Sequence, residues 1–121
     1  MLKSFFILEK YTFFRLIIEN YLVNNDYKVV GFGSNSTFEL TKIYELKPDY
    51  IIINYEIFEK NIFKVIHEIE SNIDTQLIII LPSKNKILEK KLNSERILCI
   101  LNKPFSEMEL INILESKEIY L

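Results

Sequence analysis

Midway along the chain a polar turn, Lys47-Pro48-Asp49, runs into Tyr50-Ile51-Ile52-Ile53 and stops at a single polar residue, Asn54. A run with no polar face belongs at the centre of a parallel sheet, covered on both sides. Gln76–Leu81, stopped by Pro82, is a second run of the same kind. Parallel neighbours need long crossovers, usually helical. Asn54 then lies at the carboxyl edge of the sheet, where open α/β folds place ligands and chemistry.

The rest of the chain supplies the other strands and the crossovers. Ser4-Phe5-Phe6-Ile7-Leu8 reads as the first strand, followed by a helix over 11–24 with Phe14, Ile17, Ile18, Tyr21 and Leu22 on one face. Asn24-Asn25-Asp26 is turn chemistry, and Tyr27-Lys28-Val29-Val30-Gly31-Phe32 an alternating second strand. Ser36-Thr37-Phe38-Glu39 has the form of a capping box opening a helix to about Leu46. After Asn54, helical spacing returns over 61–71 through Ile62, Val65, Ile66 and Ile69, and more weakly over 84–93 through Ile87, Leu88 and Leu92. A fifth strand is expected over 96–101. Ser106-Glu107-Met108-Glu109 is a second capping box, before a last helix with Leu110, Ile111 and Leu114 inward. Five strands alternating with five helices predict one parallel sheet with helices on both faces, as a single domain over residues 1–121.

Composition excludes several function classes. With 49% apolar and 26% charged residues the chain is globular, and a formal charge of -2 gives no bulk attraction to nucleic acid. No basic recognition helix is visible, so no direct nucleic-acid partner is expected. The lone cysteine, Cys99, sits in an apolar run and reads as a buried small hydrophobe. Glu9 and Lys10 interrupt the N-terminal apolar run too early for a signal peptide or membrane span, so a cytoplasmic location is expected. His67 falls on the exposed side of its helix without a partner at ligand spacing, and no metal is assigned to it. The loop Glu9-Lys10-Tyr11-Thr12 offers no glycine-rich nest for a cofactor phosphate, which argues against a flavodoxin-like cofactor binder.

Parallel strands bring their carboxyl ends to one rim. Glu9-Lys10, Asn54, Pro82-Ser83 and Asn102-Lys103 should meet there, with Lys103 leading into Pro104-Phe105-Ser106. With Lys47-Pro48-Asp49 before the central strand and Lys103-Pro104-Phe105-Ser106 before the last helix, nearly the whole chain resembles a response-regulator receiver (CheY-like) domain. The resemblance implies a flavodoxin-like (βα)5 doubly wound sandwich, a five-stranded parallel sheet of order 2-1-3-4-5. It also implies a role in two-component (phosphorelay) signal transduction. In such domains an acidic pair after the first strand holds a divalent cation, and an Asp ending the third strand accepts a phosphoryl group. A Thr or Ser after the fourth strand and a Lys before a Pro, usually in a cis bond, contact the phosphoryl oxygens.

This chain departs from that pattern. The acidic pair falls on Glu9 and Lys10, the phosphoacceptor on Asn54, and the hydroxyl position somewhere in Leu81, Pro82 or Ser83, of which Ser83 is the only hydroxyl. Ser83 has a second reading as a cap for the following helix. An aromatic that often precedes the Lys by three is replaced by Ile100, while Lys103 is kept. An amide is no nucleophile toward phosphorus, because its nitrogen lone pair is delocalised and its oxygen carries no full charge. Glu9, Lys10 and Asn54 together carry no net charge, so Mg²⁺ binding is expected to be weak or absent and no cofactor is assigned. Lys10 can instead put its ammonium where the cation would sit, paired with Glu9 or with Glu56. Lys103 is expected to bond within the pocket, to Asn54 or Glu9, beside Pro104.

The expected function is therefore a non-enzymatic, unphosphorylated receiver that works through a protein partner, either a histidine kinase or a downstream effector. A homodimer is the other expectation, through the face of the fourth helix, fifth strand and fifth helix. There Lys84, Lys86, Lys90 and Lys91 oppose Glu107, Glu109 and Glu115. The alternative is an orthodox Mg²⁺-dependent phosphoacceptor controlling an output domain, for example in transcription, with its chemistry rescued at Glu9 or Glu56.

Overall fold

A computed structural model describes residues 2–92 and 96–119 of the chain. Five parallel strands, β1 (Ser4–Leu8), β2 (Lys28–Gly33), β3 (Tyr50–Asn54), β4 (Gln76–Leu81) and β5 (Ile97–Asn102), pair in the order β2-β1-β3-β4-β5. Between and after them come α1 (Thr12–Asn24), α2 (Thr41–Leu46), α3 (Tyr55–Phe58), α4 (Ile62–Asn72), α5 (Lys86–Lys91) and α6 (Glu107–Ile119). The doubly wound sheet of order 2-1-3-4-5 is thus present. The expected end of the 84–93 helix at residue 93 lies outside the described residues, as do residues 1, 120 and 121 of the expected domain.

Strand alternation splits the core into two layers. Phe5, Ile7, Ile52, Ile78 and Ile80 face α1 and α6, meeting Ile18, Leu22, Leu110 and Leu114. Phe6, Leu8, Ile51, Ile53 and Ile79 face the other way, onto Ile43 of α2 and Ile62, Ile66 and Ile69 of α4. Every residue of β3 is buried, as expected of a strand with no polar face. β5 is an edge strand and is mostly half-buried, so Cys99, expected to be buried, is half-buried against the core. Ile87, expected to face inward, is 71% exposed, because only Leu88 and Leu92 of that short segment reach the core.

The two capping boxes have different fates. At α6 the box forms: the Glu109 N–H donates to Ser106 Oγ at 3.1 Å, and Glu109 Oε1 accepts from the Ser106 N–H at 3.4 Å. At Ser36-Thr37-Phe38-Glu39 it does not, and α2 begins only at Thr41. Asn35 Oδ1 instead takes the Thr37 N–H (3.1 Å) and hydroxyl (2.6 Å), closing a local turn that competes with a helix start. Phe38 packs against Phe6, ring centroids 5.3 Å apart, over Gly33, where an added Cβ would lie 2.5 Å from the Phe38 ring. That anchor draws the segment inward and displaces the helix start. Asn85, not Ser83, caps α5, its Oδ1 accepting from the Leu88 N–H at 3.0 Å.

The Lys47-Pro48-Asp49 turn is structural. Lys47 takes a left-handed φ of 48° and closes α2, its N–H donating to Ile43 O at 2.9 Å. Asp49 Oδ2 accepts the Ser4 N–H at 2.8 Å, and the Asp49 N–H donates to Ser4 Oγ at 3.1 Å. β3 is therefore tied to β1 before either strand reaches the rim.

Candidate functional site

Parallel register carries Glu9 and Asn54 to the same height. Leu8 pairs with Ile53, and the next residue on each strand emerges at the carboxyl edge, on the face shared with α1. The Glu9 N–H still donates to Gly33 O at 3.0 Å, so its backbone is held by β2. At the other side, Leu81 pairs with Asn102 and the Lys103 N–H donates to Leu81 O at 2.9 Å, which starts the Lys103 side chain from the rim. The Lys103–Pro104 bond is cis.

Glu9 is 1% exposed and Asn54 0%. Asn54 Nδ2 donates to Glu9 Oε2 at 2.7 Å, and Asn54 Oδ1 accepts the Glu56 N–H at 2.9 Å. Only this orientation of the amide serves both neighbours, since a carboxylate needs a donor and a backbone N–H an acceptor. Asn54 thereby also caps α3, a short helix that hydrophobic spacing does not announce. The Tyr11 N–H gives Glu9 Oε2 a second bond at 3.0 Å. Glu9 Oε1 accepts no well-aligned hydrogen bond among the described residues. It faces the Lys103 ammonium at 3.2 Å as a charge contact.

Lys103 Nζ lies 4.0 Å from the Phe14 ring centroid and 4.9 Å from that of Tyr11. Phe14 is held edge-on by Phe105, centroids 5.6 Å apart. The Tyr11 hydroxyl crosses the rim to donate to Glu56 Oε2 at 3.0 Å. That bond, and the charge of the same carboxylate, raise the Tyr11 phenol above its ordinary pKa. No described group of three or more His, Cys, Asp or Glu side chains comes together in a way that could hold a metal ion.

Of the residues expected at the site, the structure brings Glu9, Asn54 and Lys103 together and attaches Glu56 through Tyr11. Lys10 does not fill the cation position. It is exposed, forms no ion pair among the described residues, and lies 5.6 Å from the Tyr11 ring centroid. The reason is direction: Glu9 turns inward after β1 and the next residue turns out. The ammonium beside Glu9 belongs to Lys103 instead, and Glu56 has Tyr11 as its partner. Ser83 is exposed and makes no hydrogen bond among the described residues. Leu81, which ends β4 beside Lys103, is buried in the core, and Pro82 and Pro104 are exposed. His67 is exposed. Sequence reasoning missed Tyr11 and Phe14. Their spacing of three in the first turn after Glu9 puts both on one side of α1, and that was the available signal.

No protein-family model matches this sequence, and no curated protein does either. Solved structures do resemble it. A CheY-like response regulator receiver domain from Methylobacillus flagellatus superposes with a TM-score of 0.77 at 15% identity, over 96% of this chain and 98% of that one. A response regulator from Thermotoga maritima gives 0.77 at 15% identity, over 96% and 97%. The response regulator domain of Thermotoga maritima CheB gives 0.73 at 22% identity, over 98% and 92%. The strand order, the position of the rim and these superpositions agree: the chain has the fold of the response-regulator receiver (CheY-like) domains.

Proposed function

We propose that this chain is a receiver module of two-component signalling that is not switched by aspartyl phosphorylation and acts by binding protein. One observation carries the reading: the residue ending β3 is an amide with both ends engaged, Nδ2 on Glu9 and Oδ1 on the Glu56 N–H. A phosphoryl acceptor at this position needs a carboxylate with a free oxygen. The apolar Leu81 at the end of β4 supports the same reading, since a phosphoryl oxygen there finds no hydroxyl. The module works by contact and carries out no reaction of its own, and a cytoplasmic location accords with this. Among the described residues no helix is long and apolar enough to cross a membrane.

A histidine kinase, a downstream effector or a second copy is the partner class that accords with the fold. The face of α5, β5 and α6 suits docking. Its helices carry exposed Ile87 (71%) and Met108 (69%) beside the half-buried edge strand β5, and Lys84, Lys86, Lys90 and Lys91 are exposed along α5 and the turn before it. Glu107, at the start of α6, is instead engaged by Asn25 at the end of α1, whose Nδ2 donates to Glu107 Oε2 at 3.3 Å. Incubation with acetyl phosphate and Mg²⁺, followed by intact-mass measurement, is expected to leave the protein unmodified. A stoichiometric phosphoryl adduct that hydroxylamine removes would return the chain to the orthodox phosphoacceptor class.

A further inference from the structure

We propose that the pocket beneath the rim is an ammonium site, filled in cis by Lys103, which selects an organic ammonium over a divalent cation. Its walls are the Glu9 carboxylate at 3.2 Å from Nζ and the faces of Phe14 and Tyr11 at 4.0 and 4.9 Å. Two aromatic faces and one carboxylate are the recognition chemistry of an alkylammonium, whose charge is attracted to the ring quadrupole and whose methylenes pack on the rings. The Lys103 side chain is 16% exposed and that of Glu9 0%, so little water competes for the contact.

The same walls do not fit the Mg²⁺ that the fold family implies. Magnesium requires near-octahedral oxygen ligands and retains several waters. Here Glu9 Oε2 is occupied by two N–H donors, Asn54 turns Nδ2 toward the pocket, and Asn54 Oδ1 is used by the Glu56 backbone. Only Glu9 Oε1 remains, and it faces the ammonium. Aromatic faces supply no ligand to a hard dication. The protein's own cation thus faces the one carboxylate oxygen of Glu9 that no N–H donor occupies, and through it the β5–α6 turn is fastened to α1. Which cation the pocket takes is a property of these walls alone, independent of whether the chain accepts phosphate or docks a partner.

Chemical rescue tests it. Lys103→Ala removes three methylenes and the ammonium, the outline of propylammonium. Thermal unfolding of Lys103→Ala should shift upward by several degrees in propylammonium chloride relative to NaCl of equal ionic strength. MgCl₂ at matched ionic strength should do no more than NaCl, and wild type should not respond to propylammonium. Lys103→Ala combined with Phe14→Leu should lose about tenfold in apparent propylammonium affinity, the contribution of one desolvated ring face. Rescue by Mg²⁺, or none by propylammonium beyond NaCl, overturns the proposal. Should Lys103→Ala fail to fold, native acetylation of wild type followed by peptide mass analysis decides. Lys103 is expected to react more slowly than exposed Lys10 and to speed up in Phe14→Leu, while equal rates in wild type overturn the cage.

Discussion

β1 and β3 are tied together by side chains at both ends of their pairing, and the two ties are built from different materials. At the amino edge Ser4 and Asp49 exchange bonds of 2.8, 3.1 and 3.2 Å in the open, within reach of water. At the carboxyl edge Glu9, Asn54, Tyr11 and Lys103 make contacts of similar length, but Glu9 and Asn54 are sealed from solvent. Equal distances do not mean equal energies. An exposed bond trades one partner for water, whereas a buried carboxylate that loses its donors keeps its charge and gains nothing. The carboxyl-edge tie is therefore the one that fixes what the site can become.

The largest effect is expected from Asn54→Asp, which sets a second carboxylate against Glu9 Oε2 where a donor stood at 2.7 Å. The loss should be about 3–5 kcal/mol at neutral pH. It should shrink on acidification, as one proton shared between the two carboxylates relieves their repulsion, and shrink in part in Mg²⁺, whose charge screens the second carboxylate that the substitution adds. Urea titrations with and without Mg²⁺ across pH read this directly, and wild-type stability at neutral pH without metal would break the contrast. Lys103→Met keeps the stem and removes the charge that faces Glu9. About 2–3 kcal/mol should be lost in the same assay, less than for a fully buried pair because Lys103 keeps some contact with water.

The amino-edge tie should yield more cheaply. Asp49→Ala removes acceptors for the Ser4 N–H and hydroxyl, and about 1 kcal/mol is expected. Ser4→Ala loses only the side-chain bonds and should cost about 0.5 kcal/mol. Either variant matching Asn54→Asp would show that burial is not what separates the two edges. The smallest effect concerns Tyr11, at the exposed lip of the buried cluster. Its phenol is raised, so the bond to Glu56 is complete at neutral pH and lost only as pH climbs through that raised value. Glu56→Gln should bring the phenolate absorbance transition back down, with unfolding little changed.

Legibility followed the range of the interaction. β1 and β4 read from the sequence with their observed ends, because each is an apolar run bounded by polar residues. Ser106 and Glu109 cap as read, since both partners lie within one turn. Ser36 fails in the same pattern because Phe38 has a better place against Phe6 and Gly33, which is tertiary information. The rim was legible as a set of residues, Glu9, Asn54 and Lys103, because parallel strands must end together. Which ammonium meets Glu9 was not, since that depends on how the chain turns after Leu8 and on where α1 lays Phe14 and Tyr11.

Residue chemistry by itself determined that β3 runs through the middle of a parallel sheet and ends in a group unable to attack phosphorus. Apolar periodicity and the electronics of an amide are local properties, independent of any distant partner. Tertiary structure decided the rest: Lys103 rather than Lys10 neutralises Glu9, Leu81 rather than Ser83 lies beside Lys103, and two aromatic rings close the pocket. Those outcomes depend on strand register and on the exit direction of loops far apart in sequence, and only the packed sheet sets both.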